Sequence, residues 1–90
     1  MGKFEVEEFA NLNFGEASVE DLARVSATRV AVVATDKTSL VCKAFELLAQ
    51  GKAQEVGSFK VDGVFSQAVA SETEVLAVES DQARVIEFNF

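Results

Sequence analysis

From Thr28 to Ala34 the chain reads Thr-Arg-Val-Ala-Val-Val-Ala, so that Val30, Val32 and Ala34 share one face of a strand while Ala31 and Val33 share the other. A strand that is apolar on both faces has to be covered on both, and this run therefore predicts a central strand. The next stretch sets the topology expected. Asp36 or Thr38 can accept from the first free backbone N–H groups of a helix, Leu40, Val41, Ala44, Phe45, Leu47 and Leu48 make a wide apolar stripe at helical spacing, and Gly51 stands where a left-handed cap would end it. A second β-like run, Gln54 to Val61, follows, interrupted by Gly57. Parallel neighbours need a crossover of roughly a dozen residues or more, which residues 36–50 supply, so the stretch predicts a right-handed βαβ unit.

The flanks add smaller elements. Lys3 to Glu7 alternates polar and apolar and predicts a short strand, after which Phe4, Phe9 and Phe14 recur every five residues, a spacing that fits an arm docking its aromatics into separate pockets. Ser18 with Asp21 resembles a capping box and predicts a short helix over 19–25. Asp62-Gly63 signals a turn, Phe65, Ala68 and Val69 suggest one or two helical turns within 64–71, and two strands, 73–79 and 83–90, are joined by a hairpin at Ser80-Asp81-Gln82. The reading is one domain of α+β class, a small mixed β-sheet around a central βαβ unit. Residues 1–27 form an arm and short helix, and residues 28–90 a strand-helix-strand-short helix-strand-strand core.

Composition excludes several chemistries. With no histidine and a single cysteine, Cys42, the chain has neither an internal disulfide nor the usual transition-metal ligands, and no metal or cofactor is expected. No basic start leads into an apolar signal-peptide core and no run approaches the roughly 20 apolar residues of a membrane span, so the expectation is a soluble, cytoplasmic protein or one within an intracellular assembly. The net charge of −7 argues against binding to phosphate backbones. Its distribution is uneven: residues 1–23 and 61–90 each carry −5, whereas residues 24–60 hold Arg24, Arg29, Lys37, Lys43, Lys52 and Lys60 against Asp36, Glu46 and Glu55. A basic middle between acidic ends suits complementary charge within the domain or across a subunit contact, with an anion site as the alternative.

Leu47-Leu48-Ala49-Gln50-Gly51 resembles the helix end of Alba-like domains, and Gly63-Val64-Phe65-Ser66-Gln67-Ala68-Val69 is similar to the second-helix start of the stage V sporulation protein S family within that group. The predicted order of elements from Thr28 onward is also theirs. The resemblance implies a dimer that binds nucleic acid through basic residues near the first strand-helix loop and on a long basic hairpin. Of these only Lys37 carries over, because the hairpin here is short and holds Asp81 with no cation.

No catalytic constellation is present in the sequence. The carboxylate pairs Glu7-Glu8 and Glu72-Glu74 lie in polar surroundings, whereas general acid-base work needs a desolvated member. Gly63 lacks the further glycines and lysine of a phosphate cradle. Cys42 has no histidine to activate it and reads as a small buried hydrophobe. Eight phenylalanines without Tyr or Trp suit either a Phe-filled core or a subunit contact. Five of them, Phe4, Phe9, Phe14, Phe88 and Phe90, fall in the arm or the last strand, which with Ile86 makes them the candidate oligomer contacts. The expected function is that of a non-enzymatic structural subunit acting by self-association, with itself or other protein subunits, in a larger shell, filament or virion-like assembly. The alternative is a small Alba-type nucleic-acid-binding module using Lys37.

Overall fold

A computed structural model describes residues 10–90 of the chain. Seven strands run through it: β1 (Ser18–Arg24), β2 (Arg29–Thr35), β3 (Ser39–Leu48), β4 (Lys52–Asp62), β5 (Gln67–Ala70), β6 (Glu74–Glu79) and β7 (Gln82–Glu87), with one 3-10 turn at Ala49–Gly51. They form two antiparallel meanders, a four-stranded sheet in the order β1-β2-β3-β4 and a three-stranded sheet in the order β5-β6-β7. The α+β expectation is thereby overturned. Residues 36–50 are a hairpin turn, a strand and the start of the 3-10 turn, residues 19–24 belong to β1 with Val25 just beyond it, residues 64–71 are a connecting loop and β5, and β2 lies antiparallel to β3 with no βαβ crossover. The strand predicted at residues 3–7, with Phe4 and Phe9, lies outside the described residues.

The hairpins explain why these residues choose strands. Asp36 Oδ1 accepts from the backbone N–H groups of Thr38 and Ser39, both at 2.8 Å, while Asp36 N donates to Ser39 O at 3.0 Å, closing the chain between β2 and β3. Once that turn forms, β3 pairs with β2 on one side from Leu40, opposite Thr35, to Glu46, and with β4 on the other along its whole length from Ser39, opposite Asp62. Its backbone N–H and C=O groups are then satisfied by ladders rather than helically.

Register assigns the faces. Ala31 lies between Ala23 and Ala44, with Gly57 beyond; Val33 between Asp21 and Cys42, with Phe59 beyond; and Thr35 beside Leu40, with Val61 beyond. This inner face packs on Ala68, Val75 and Ala77 of the second sheet and on Phe65 from the loop between them, forming one buried cluster. Leu40, Val33, Val75 and Cys42 have essentially no exposed surface. On the opposite face Val30, Val32 and Ala34 are also buried, and Phe14 meets Phe45 edge-on with ring centres 6.1 Å apart. Lys43, opposite Val32, sits 5.8 Å from the Phe14 ring centre. Phe45 therefore stands on the outer face, not under a helix against the sheet.

Two contacts tie the sheets together at their margins. At one, the β1 bulge between Val19 and Asp21 turns the Asp21 carboxylate toward the second sheet, where Oδ2 accepts from Ala70 N at 2.8 Å. At the other, the chain after β7 crosses β4, and Phe59, Phe88 and Phe90 stack, with Phe88 and Phe90 ring centres 4.9 Å apart. Arg29 Nη1 donates to Phe90 O at 3.1 Å. The ring of Phe90 lies over Gly57 so closely that a Cβ there would sit 2.8 Å from its Cδ1 and Cε1. Gly57→Ala is expected to lower stability by about 1–3 kcal/mol through overpacking, and to cost much less in a Phe90→Ala background. Urea unfolding of both single variants and the double variant checks this; equal losses in the two backgrounds would show that the glycine serves something other than the Phe90 ring.

Candidate interaction surface

Because successive side chains alternate, the outer face of the three-stranded sheet can be read as rows running across it. One row is Gln67, Val78 and Ala83; the next is Val69, Leu76 and Val85; the last pairs Glu74 directly with Glu87. The middle row is apolar throughout and open to solvent, with Val69 44%, Leu76 41% and Val85 61% exposed. A shallow groove of about 300 Å³ is lined by these residues together with Gln67, Ala77, Val78, Ala83 and Arg84. The two glutamates at its end are like charges directly opposite each other, an arrangement that is destabilising in an isolated sheet. Arg84, the cation of this sheet, lines the groove as well and is paired with Glu79, 3.1 Å from its Oε1, with its guanidinium 5.7 Å from the Phe65 ring centre.

The residues singled out from sequence are dispersed. Phe14 packs on Phe45 within the chain. Ile86, Phe88 and Phe90 are half-buried against the inner core, so the face of β7 left open is the opposite one, carrying Val85. The signal for that open face was present in Glu74-Val75-Leu76-Ala77-Val78, which is apolar on both sides. Lys37 is exposed in the β2–β3 turn, in a polar hollow of about 520 Å³ that it shares with Glu16, Ser18, Thr35, Asp36 and Thr38. Its nearest lining includes two carboxylates, which is poor ground for a phosphate.

No family model matches the chain, and neither a curated protein nor a solved structure does. Chemistry among the described residues is sparse. No group of three or more His, Cys, Asp or Glu side chains there is placed to hold a metal ion. Burial pushes the Cys42 thiol up to about 11, which leaves it protonated at neutral pH. Hydrogen bonds from Arg29, and then from Thr28, hold Glu46 below the usual glutamate value. Among the described residues no helix is long and apolar enough to cross a membrane.

Asp36 is, with Glu46, one of the two carboxylates among the described residues that the fold holds clearly below the ordinary value. The backbone N–H of Thr38 is the largest influence and, with Ser39, holds its carboxyl below the ordinary 3.8 against a smaller opposing effect of burial. A carboxylate depressed in the folded state contributes stability that is present above its unfolded value and lost as pH falls through the folded one. The wild-type urea midpoint is therefore expected to fall from about pH 5 to about pH 2. Asp36→Ala should start from a lower midpoint at neutral pH and show a shallower acid dependence, the remainder reflecting Glu46. Superimposable midpoint-against-pH curves for the two proteins would remove Asp36 from this role.

Proposed function

We propose that the protein is a non-enzymatic structural subunit that acts by associating with further copies of itself in a larger assembly. The observation supporting this is the open apolar row of Val69, Leu76 and Val85, contiguous across three strands of a sheet whose other face is already committed to the core. Contiguous exposed apolar surface marks an interaction site more often than scattered single residues do. The test is sedimentation velocity at rising concentration. Wild type should gain mass with concentration, and Leu76→Ser should shift association to about tenfold higher concentration, as truncation of a contact residue does. Leu76 is 41% exposed, so the variant should keep the wild-type urea midpoint closely. A monomer at every concentration would overturn the reading.

Nucleic-acid binding through Lys37 is the weaker proposal. The net charge of −7 and the neighbours Glu16 and Asp36 oppose it. Anisotropy with a labelled duplex and a labelled single strand should give affinities no tighter than about 10⁻⁴ M at physiological salt. Micromolar binding that weakens with salt and is lost in Lys37→Glu would put the nucleic-acid reading first.

A further inference from the structure

The occupant of the open sheet face can be identified from charge and shape. The face ends in the Glu74–Glu87 row, and residues 67–87 carry Arg84 against Glu72, Glu74, Glu79, Asp81 and Glu87, leaving −4 on this sheet. A cation brought by a partner would relieve the like-charge pair that the isolated sheet has to tolerate. The complementary element lies in the same chain. The β3–β4 hairpin, with strands of 10 and 11 residues, is the longest among the described residues. At its end Leu48 stands directly opposite Lys52, both exposed, with the turn at Ala49–Gly51 beyond them. Among the described residues Lys52 makes no ion pair, as is also true of Arg24, Lys37 and Lys60, whereas Arg29, Lys43 and Arg84 are held by Glu46, Glu55 and Glu79. An apolar side chain beside a free cation at the hairpin end thus mirrors an apolar row beside an acidic one on the sheet.

We infer that the β3–β4 hairpin end of one copy docks on the outer face of β5-β6-β7 of the next, Leu48 covering the Val69–Leu76–Val85 row and Lys52 meeting Glu74 and Glu87. The inference rests on the self-association reading and gives it a direction. Donor and acceptor surfaces differ, so the contact is heterologous, and it propagates as an open chain of copies unless a rotation closes it into a ring.

The experiment is sedimentation velocity on the whole chain with three charge variants: Lys52→Glu, the pair Glu74→Lys with Glu87→Lys, and all three together. Lys52 and Glu87 are exposed and Glu74 is half-buried, and the paired variant keeps a like-charge row, so the fold bears no new repulsion there. Each of the first two should weaken association about tenfold or more, and the combined variant should return it to within about threefold of wild type. Raising salt should weaken the wild type and the combined variant alike. Wild-type association that the first two variants leave unchanged would overturn this contact while leaving self-association standing. Weakening without recovery in the combined variant would also overturn it. A wild type that stays monomeric would overturn both readings together.

Discussion

Everything in this fold depends on β2 being buried on both faces. A strand with Val33 and Ala31 fully inside on one side and Val32 and Ala34 inside on the other cannot stand at a sheet edge or face water, so it needs a paired neighbour along each edge and a cover over each face. β1 and β3 supply the edges. The second sheet covers the inner face, and Phe14 reaches the outer face over Phe45 and Lys43. Burying each valine is worth about 1.5–3 kcal/mol, enough to pull these covers into place. The small side chains Ala31, Ala44 and Gly57, aligned across three strands, leave a shallow trough on the inner face, and the Phe90 ring fills it above Gly57.

The margins of the sandwich are defended unequally. β1 is bulged between Val19 and Asp21, and the Asp21 carboxylate occupies the N–H of Ala70 that would otherwise sit free on β5. β4 is the long edge strand, and it too is bulged, between its partners Ala44 and Phe45, with Lys52 and Lys60 exposed along it. Bulges and lysines are the devices by which edge strands resist pairing with other chains. The outer face of the three-stranded sheet carries no comparable guard in its middle row. Association through that face, with the β4 edge itself left unpaired, is the arrangement these features favour.

The sequence was legible at the level of punctuation and misleading at the level of elements, and the reason is chemical. Asp36 does accept the N–H groups of the second and third residues after it, which is what a helix N-cap does and equally what an Asx turn in a hairpin does. Gly51 does take a left-handed conformation, φ +74°, as a helix C-cap would, but it closes the β3–β4 turn. Between them, a strand covered on both faces presents apolar residues on both, and Leu40, Val41, Ala44, Phe45, Leu47 and Leu48 fit a helical stripe equally well. The β1 bulge broke the two-residue alternation of Ser18–Arg24 in the same way. Strands without a competing cap, such as Glu74–Glu79 and Gln82–Glu87 with the positive φ of Ser80 between them, formed near where alternation and turn chemistry put them, although the last strand takes in Gln82 and stops at Glu87, short of the expected end at Phe90. The open apolar row needed the sheet order, because which face of β6 is left without a cover depends on residues far away in the chain.

Sorted by sheet rather than by position in the chain, charge acquires a direction. In residues 18–62 the cations Arg24, Arg29, Lys37, Lys43, Lys52 and Lys60 are balanced by Glu20, Asp21, Asp36, Glu46, Glu55 and Asp62, whereas the second sheet keeps its excess of carboxylates. The screening length is about 8 Å at physiological ionic strength, so this asymmetry acts at contact range. Two copies meeting through their second sheets would set the Glu74–Glu87 rows against each other, and like charges in contact oppose such a pairing. A copy presenting its four-stranded sheet, whose charges balance, brings no such repulsion, and Lys52 at the hairpin end places a cation against the acidic row. In the association proposed above, apolar area attracts either approach alike, and the Glu74–Glu87 row is the feature that favours head to tail.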